Sequence, residues 1–380
     1  MKHWFARDLP ESVIKSLSIR AKELGAVNLG QGIPSFPTAP EVIEATGEAL
    51  KDEHIGVYPN FLGDPELREA IAQRLNRQKG LQLSGEKNIL VSVGAMEGTA
   101  TVIMSLVTDG DRVGVITPDY CNHFPQVQLS RGEAVEIPMK RGWRPDLELV
   151  EREAKEGLKL LILTNPNNPT GTVWRKEELE RLAGLAEKYD FWVLADETYE
   201  FLTYESESTS LLDFWDKTGD KLIVVRSFSK EFAMTGWRVG YVVARPELIK
   251  VFAKTHDALT GCAPKVSQRA ALAALATQEE TVKKQVEMYK TRRKLACEAL
   301  AKIDGLNFVR PEGAYYILVD YPGEVDSMQM SEQLLTEAKV AVVPGVVFGR
   351  AGEGQVRIAF AVEEGVLAEG LARLKKFWSG

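Results

Sequence analysis

The stretch Val224-Val225-Arg226-Ser227-Phe228-Ser229-Lys230, followed by Gly236-Trp237-Arg238, changes abruptly from apolar to polar. The apolar residues 222–225 predict a buried strand that ends at a Ser-Phe-Ser-Lys tip. Ligands of α/β proteins bind where such strands end, and a desolvated lysine there loses its proton easily and can attack a carbonyl carbon to form a Schiff base. Because a lone loop lysine is usually just solvated, the interpretation of Lys230 depends on its neighbours.

Length and composition are those of an ordinary globular protein. The 380 residues suggest about two domains, and the net charge of −7 argues against a broad nucleic-acid surface. Cys121, Cys262 and Cys297 are far apart, which predicts neither a disulfide framework nor a metal site, and the four histidines are equally scattered. The start, residues 1–8, lacks an apolar signal segment, and no apolar run is long enough to span a membrane. A cytoplasmic protein is predicted.

The middle of the chain alternates apolar strands with amphipathic helices. Strands are predicted at 89–93, 113–116, 160–163, 192–195, 222–225 and 239–244, and helices at 66–79 (capped by Asp64), 99–106 and 177–189. This alternation predicts an α/β fold with a three-layer, mostly parallel central sheet.

The two ends of the chain have a different pattern. An N-terminal arm contains one predicted helix at 11–24, and residues 270–303 predict long helices. Strands at 314–319, 340–343 and 356–360 and helices at 331–338 and 366–378 follow. We therefore expect an arm (1–45) that packs with a small α+β domain (281–380), and a large α/β domain (46–280).

Polar residues follow the predicted strands, where the carboxyl ends of parallel strands meet at one edge of a sheet. They are Gly94-Ala95-Met96, Tyr120, Asn168, Asp196, Tyr199, Ser227, Lys230 and Arg238. The turn at 94–96 offers free N–H groups to a phosphate, and Ser227 and Arg238 add donors. Asp196 is suited to keep a pyridine nitrogen protonated. Each residue alone is more often a turn former or a packed side chain, but together they favour one ligand site.

Nucleotide-binding signatures are absent from the sequence. Neither G-x-G-x-x-G nor G-x-x-x-x-G-K-[ST] occurs. A NAD-dependent dehydrogenase is therefore disfavoured.

The ordered motifs resemble those of class I/II aminotransferases, which are fold-type I enzymes of the aspartate-aminotransferase-like superfamily. The motifs are Asn165-Pro-Asn-Asn168-Pro-Thr-Gly171, Asp196-Glu-Thr-Tyr199, Ser227-Phe-Ser-Lys230, Gly236-Trp-Arg-Val-Gly240, Gln31-Gly32-Ile33-Pro34 and Val356-Arg357-Ile358. The resemblance spans about residues 28–360. It implies pyridoxal 5′-phosphate (PLP) as the cofactor and no metal.

The resemblance also implies a role for each matching residue. Lys230 would form the internal aldimine and shuttle the substrate proton, Asp196 would face the pyridine nitrogen, Tyr199 and Asn168 the ring oxygen, and Tyr120 the ring. The phosphate would be held by the Ala95 and Met96 backbone, Ser227, Arg238 and, from a partner subunit, Tyr58. Arg357 would bind the substrate carboxylate beside Gly32 and Asn168, since a planar guanidinium suits that task. The family is usually homodimeric, with Tyr58 and the 259–264 loop reaching the partner's site.

Two departures from the family pattern concern specificity. Ala95 and Met96 stand where many relatives have Ser, Thr or Lys, so the phosphate turn would contribute backbone only. No arginine is identified for a distal substrate carboxylate, and Lys265 and the 259–264 loop are candidates by position alone. Aspartate as the donor is therefore not predicted.

The predicted function is transfer of the α-amino group of an L-amino acid to a 2-oxo acid, expected to be 2-oxoglutarate, in two ping-pong half-reactions. The alternative is a PLP-dependent C–S β-lyase or a related eliminating enzyme, because the cofactor supplies the carbanion chemistry and the pocket decides its outcome. A non-catalytic effector module of a DNA-binding regulator is disfavoured, since the chain has no basic segment for it.

Overall fold

The computed structural model describes residue 9 and residues 11–205, 209–276 and 279–379, with the backbone alone described at 218, 219 and 279. The charged start at 1–8 therefore lies outside the described residues, as do residues 277 and 278 of the predicted helical stretch. In the described ranges, no helix has the length and apolar character needed to cross a membrane.

A mixed, mostly parallel sheet lies at the centre of the fold. In the described residues its seven strands are ordered β2-β8-β7-β6-β5-β3-β4, and β8 alone runs antiparallel to its neighbours. The strands are β2 (Ile89–Ser92), β3 (Arg112–Thr117), β4 (Glu133–Pro138), β5 (Leu158–Thr164), β6 (Trp192–Asp196), β7 (Leu222–Ser227) and β8 (Gly240–Val243). The α/β prediction is confirmed.

The remaining described strands form two small sheets. β1 (Val27–Asn28) of the N-terminal arm pairs in parallel with β11 (Val340–Ala341). An antiparallel sheet has the order β12-β13-β10-β9, built from β9 (Asn307–Phe308), β10 (Tyr316–Asp320), β12 (Val343–Pro344) and β13 (Gln355–Ala359). The arm is thus joined by backbone hydrogen bonds to the C-terminal part of the chain.

Helices cover the sheets and connect their strands. In chain order they are α1 (Val13–Glu23), α2 (Pro40–Ala49), α3 (Pro65–Lys79), α4 (Gly85–Asn88), α5 (Gly94–Leu106), α6 (His123–Leu129), α7 (Leu147–Lys155), α8 (Lys176–Tyr189), α9 (Trp215–Thr218), α10 (Phe228–Glu231), α11 (Pro246–Thr260), α12 (Lys265–Ala276), α13 (Glu279–Leu300), α14 (Ser327–Thr336) and α15 (Glu364–Ser379). Short 3₁₀ helices occupy Leu211–Phe214, Gly219–Lys221, Thr235–Trp237, Gly345–Phe348 and Arg350–Gly352.

The strands of the central sheet are apolar on both faces because helices cover both. Leu161, Val193 and Val224 belong to the core cluster on one side of the sheet. Their neighbours Leu160 and Leu194 belong to the cluster on the other side. Since successive side chains of a strand point to opposite faces, this explains the continuous apolar runs in the sequence.

Several predicted boundaries differ from the structure. The single strand predicted at 340–343 is wrong: residues 340–341 and 343–344 pair in two different sheets. Strand β4 was not predicted, because its first residues Glu133 and Ala134 are exposed and break the apolar pattern. The helix predicted at 331–338 begins four residues earlier, where Asp326 accepts a hydrogen bond from the Gln329 amide.

Gly240 begins β8 where that strand meets both β7 and the start of α5. A Cβ atom at this position would lie 2.7 Å from the Arg226 carbonyl oxygen and 2.8 Å from the Ala95 nitrogen. Both contacts are backbone atoms, so they cannot move aside cheaply. The close approach of three elements at the edge of the site therefore requires glycine.

We expect Gly240→Ala to lower the free energy of unfolding by about 1–3 kcal/mol through overpacking. Gly184→Ala is the matched control: this exposed position within α8 has open space around its Cβ, and the change should raise stability by up to about 1 kcal/mol. Thermal unfolding of both variants checks this. Equal melting temperatures would contradict the packing argument.

Candidate active site

Lys230 is presented by a short turn at the end of β7. The Ser227 hydroxyl accepts a hydrogen bond from the Ser229 amide at 3.1 Å and caps α10, which carries the lysine. The Lys230 amine donates to the carbonyl of Gly32 in the N-terminal arm at 2.7 Å. Burial, and then the charges of Arg357 and Arg238, lower the Lys230 pKa to about 8, against the opposing effect of Asp196. This lysine is therefore close to deprotonation near neutral pH.

Asp196 ends the neighbouring strand β6 and is buried. Its carboxylate accepts hydrogen bonds from the Thr198 amide at 3.0 Å and from the Thr198 hydroxyl at 2.5 Å. Burial raises the Asp196 pKa, while His123 and Thr198 act to lower it. The side chain is thus fixed in direction at the edge where Lys230 also lies.

Behind Asp196 lies a pair formed by His123 and Asp119, which was not predicted from the sequence. His123 Nδ1 is 3.0 Å from Asp119 Oδ2, and its Nε2 is 3.8 Å from Asp196 Oδ2. Burial alone would lower the His123 pKa, but the two carboxylates outweigh it and raise the pKa. A protonated His123 would favour the ionised form of Asp196. Asp119 and His123 lie close in the sequence, but Asp119 precedes α6, which begins at His123, so their spacing alone does not predict the contact.

At the other end of the cavity, α5 begins where β2 ends. Gly94 has φ +74°, and a Cβ there would lie 2.6 Å from an Arg238 guanidinium nitrogen. Arg238 donates to the carbonyls of Thr235 at 3.1 Å and Val93 at 3.4 Å. Amides in the first turn of a helix have no intrahelical acceptor, so Ala95 and Met96 face the cavity with donors. A guanidinium beside free amides is an anion site.

Arg357 extends from β13 and is almost completely buried. Its guanidinium donates to Asn168 Oδ1 at 2.8 Å and to the Gly30 carbonyl at 2.5 Å. It also lies 4.3 Å from the ring centre of Tyr316 and 4.7 Å from that of Phe348. Its Nε has no hydrogen-bond partner among the described residues. The guanidinium is therefore held in one orientation while part of its donor capacity stays free.

Tyr316, which was also not predicted from the sequence, lies between Arg357 and Tyr199 and contacts both. Its hydroxyl is 2.7 Å from the Tyr199 hydroxyl. Burial raises the pKa of both tyrosines, so they remain neutral donors. A Cβ on Gly32 would lie 1.8 Å from the Tyr316 oxygen, which explains why glycine occupies that position. The double aromatic Tyr315-Tyr316 was visible in the sequence, but nothing there indicated its neighbours.

A cavity of about 480 Å³ brings these side chains together. It is lined by all but one of the predicted site residues, namely Gly32, Ala95, Met96, Tyr120, Asn168, Asp196, Tyr199, Ser227, Lys230, Arg238 and Arg357. The exception is Tyr58, which is 87% exposed and does not line the cavity of its own chain. Lys265, a positional candidate, is bound instead to Asp52 Oδ2 at 3.2 Å and to the His54 carbonyl at 2.9 Å.

A buried ion pair lies directly beneath the two central strand ends. Arg226, next to Ser227 on β7, donates to Glu197, next to Asp196 on β6, at 2.8 Å. The Ser210 hydroxyl and the Leu211 amide also donate to this carboxylate. Burial raises the Glu197 pKa, opposed by Arg226 and these donors. The pair fixes the spacing of the strand ends that carry Asp196 and lead to Lys230.

Comparison with known proteins gives the family. The model of the family "Aminotransferase class I and II" matches residues 25–374. The chain belongs to the class I/II aminotransferases. It is 38% identical over 368 residues to the aspartate/prephenate aminotransferase of Thermus thermophilus, covering 95% of this chain and 93% of that protein. It is 32% identical over 372 residues to aromatic-amino-acid aminotransferase 2 of Thermococcus litoralis, covering 97% and 95%.

The fold agrees equally well with solved aminotransferases. The Thermus thermophilus aspartate aminotransferase structure with maleate superposes with a TM-score of 0.93 at 36% identity, covering 99% of this chain and 100% of that one. The chain is thus a PLP-dependent aminotransferase that moves an amino group between an amino acid and a 2-oxo acid. In the described ranges, no group of three or more His, Cys, Asp or Glu residues could hold a metal ion.

The residues that line the cavity match the chemical groups of PLP. The free amides of Ala95 and Met96 beside Arg238 match a phosphate, Asp196 matches a protonated ring nitrogen, and the amine of Lys230 lies in the same cavity. Gly94 leaves room for the guanidinium that completes the anion end.

The lowered pKa of Lys230 makes a pH prediction for apoprotein. The neutral amine is the reactive form, so the rate of PLP incorporation should rise with pH through about 8 and not through the ordinary lysine value of 10.5. Stopped-flow absorbance measures this rate. Arg357→Leu removes a positive charge that lowers the Lys230 pKa, so its midpoint should shift upward. A wild-type midpoint near 10.5 would contradict the prediction.

Proposed function

We propose that the protein transfers the α-amino group of an L-amino acid with a large apolar side chain to 2-oxoglutarate. The observation that carries the proposal is that Lys230, Asp196 and Arg357 face one cavity, with the lysine pKa lowered to about 8. Bound PLP supplies an electron sink that stabilises negative charge at the substrate α-carbon. The residues of this chain bind, orient and move protons around that chemistry.

Each cavity residue has a proposed task. Lys230 Nζ would accept the proton from the substrate α-carbon and pass it to the cofactor carbon that is bound to the transferred nitrogen, and its lowered pKa suits both accepting and donating. Asp196, supported by His123, holds the proton on the ring nitrogen. Tyr199 and Asn168 would donate to the ring oxygen, and Tyr120 would lie against the ring. Ala95, Met96, Ser227 and Arg238 would hold the phosphate.

Arg357 is proposed to bind the substrate α-carboxylate with Gly32 and Asn168 beside it. Its contacts with Asn168, Gly30 and Tyr316 orient the guanidinium before substrate arrives. Such an orientation lowers the entropic cost of binding and directs the α-hydrogen consistently. Tyr316 couples this end to Tyr199 at the ring oxygen.

The residues that line the mouth of the cavity support an amino donor with an apolar side chain. Ile14, Ile33 and Met96 line it, and among the described residues no arginine other than Arg238 and Arg357 does so. A second chamber of about 420 Å³ shares Ser12, Ile14, Cys121 and Asn122 with the cavity. Its additional lining includes Phe124, Val346 and Val347 and also the charged residues Glu11, Glu136 and Arg350. Arg350 and Glu136 face each other at 3.5 Å, and the apolar part of this adjoining space suits a large apolar side chain.

We also propose a cytoplasmic homodimer in which Tyr58 reaches the partner's phosphate site, and a division of the chain into 1–45, 46–280 and 281–380. Tyr58 is 87% exposed beside the exposed apolar residues Val57 and Phe61, which fits a surface that is covered in a dimer. The three cysteines are unpaired, as is usual in a reducing compartment.

The amino-transfer proposal is tested with holoenzyme and L-phenylalanine in the absence of any 2-oxo acid. We expect a stoichiometric amount of phenylpyruvate without ammonia, and continuous turnover once 2-oxoglutarate is added. Lys230→Ala should lower turnover by at least about 10³-fold, because both the nucleophile and the proton carrier are lost. Full activity of this variant, or reaction with L-aspartate alone, would contradict the proposal. Release of ammonia and pyruvate from cystathionine would indicate a lyase.

The shared site is tested by mixing two variants, one that lacks the reacting lysine and one with weakened cofactor binding. Tyr58→Ala should weaken cofactor binding by about 10-fold through loss of a hydrogen bond to a charged group. In a hybrid with Lys230→Ala, one of the two sites has both native residues, so random mixing should restore roughly a quarter of wild-type activity at limiting cofactor. Light scattering should give about twice the chain mass of 42.2 kDa. No recovery, or a monomer mass, would contradict the shared site.

A further inference from the structure

The positively charged side chains that line the cavity indicate which acidic groups of a substrate it can bind. Among the described residues they are Lys15, Lys230, Arg238 and Arg357. Lys230 and Arg357 lie inside the protein and form hydrogen bonds to Gly32 and Gly30 of the arm, whereas Arg238 is more exposed and forms its hydrogen bonds at the phosphate end. In the function proposed above, each of these three has a partner: the reacting carbon, the phosphate and the α-carboxylate. Lys15 alone is left without a task.

Lys15 differs from the other three in its position and in its lack of a partner. It lies on α1, whose residues Ser12 and Ile14 also line the cavity. Its side chain is exposed, and within the described parts of the chain it forms no ion pair. By contrast, Arg20 on the same helix is bound to Glu332, with its two terminal nitrogens donating to the carboxylate. An ammonium at the cavity mouth that forms no ion pair with the described carboxylates is available to a carboxylate of the substrate.

A dicarboxylic substrate needs such a group. Moving a second carboxylate from water to a mouth lined by Ile14, Ile33 and Met96 is costly unless a positive charge compensates it. Lys265, the other lysine considered for this task, is held by Asp52 and His54 of its own chain. Met96 on the phosphate turn has no charge to offer. Lys15 is therefore the described cavity cation suited to a distal carboxylate.

We propose that Lys15 binds the distal carboxylate of the dicarboxylic 2-oxo acid and of the amino acid formed from it. This proposal rests on the amino-transfer function above and names the residue that selects its acceptor. The α-carboxylate lies on Arg357 and the second carboxylate reaches outward to the N-terminal helix. Lys15 does not line the adjoining chamber, so an apolar donor side chain against Phe124, Val346 and Val347 and an acidic acceptor side chain at Lys15 have separate places at one mouth.

The arrangement also predicts which substrates depend on Lys15. A monocarboxylic ligand uses Arg357 alone and should be indifferent to the change at position 15. A flexible, exposed ammonium acts as a point charge, so its contribution should weaken with ionic strength. Both features separate a direct contact from a general loss of structure, which would affect all ligands alike.

The experiment compares glutarate with pentanoate, which have the same carbon chain and differ by one carboxylate. Binding of each to holoenzyme is measured by isothermal titration calorimetry in wild type, Lys15→Met and Lys15→Arg. Lys22→Met is the matched control, because Lys22 is an exposed lysine on the same helix that does not line the cavity. Lys265→Met tests the competing residue.

We expect wild type to prefer glutarate, and Lys15→Met to lose about 5–10-fold in glutarate affinity with pentanoate binding unchanged, the range for one partly exposed charge pair. Lys15→Arg should retain most of the preference, and Lys22→Met should match wild type. The KM for 2-oxoglutarate should rise in Lys15→Met while the half-reaction with L-phenylalanine stays unchanged.

The proposal is overturned if wild type shows no preference for glutarate or if Lys15→Met keeps that preference. It is also overturned if the preference is lost in Lys265→Met and not in Lys15→Met. In each of these cases, Lys230-dependent transfer from L-phenylalanine would still support the amino-transfer function. Failure of that transfer with every 2-oxo acid, whatever glutarate does, would reject the function itself.

Discussion

The buried pair of Arg226 and Glu197 is the constraint on which the site depends. Two full charges are removed from water between adjacent strands, which is tolerable only because each is hydrogen-bonded, the carboxylate additionally by Ser210 and Leu211. Removing Arg226 would leave the Glu197 carboxylate buried without a cation, whereas Arg226 has a second carboxylate partner, Glu200, at 3.2 Å. The pair therefore fixes the ends of β6, whose last residue is Asp196, and of β7, which leads to Lys230.

The cavity built on these strand ends holds an acidic and a basic side chain, Asp196 and Lys230, whose pKa values are both shifted by their surroundings. Burial raises the Asp196 pKa, and His123, itself 3.0 Å from Asp119, opposes that rise and favours the carboxylate. Burial and two guanidinium groups lower the Lys230 pKa, which favours the neutral amine. Because each group has its own charged neighbours, one small volume can hold an acid and an amine with different protonation behaviour. Tyr316 then joins Arg357, the proposed ligand of the substrate carboxylate, to Tyr199, the proposed partner of the ring oxygen.

The proposed substrate selection involves a different part of the molecule. The N-terminal helix α1 contributes Ile14 and Lys15 to the cavity mouth, and Gly32 farther along the arm accepts the hydrogen bond from Lys230. The arm is joined to the C-terminal part through β1 and β11, and Arg357 donates to Gly30. The same segment thus supports the reacting lysine, supports the carboxylate-binding arginine and forms the entrance. An enzyme that must accept two unlike side chains in turn can change its entrance without altering its chemistry.

The sequence by itself determined the α/β class and the cavity residues at the strand ends of the central sheet, because strand ends in a parallel sheet share one edge whatever the details of packing. It could not locate Tyr316, the His123 contact with Asp196 or the place of Lys15, since these depend on side chains that are distant in sequence and meet only after the sheets and the arm pack together. It missed β4, whose exposed start hides the apolar pattern, and merged β11 and β12, which follow one another in sequence but pair with different strands. The local sequence pattern indicates which residues are buried and where turns occur. Which side chains meet across a cavity is decided by the tertiary structure.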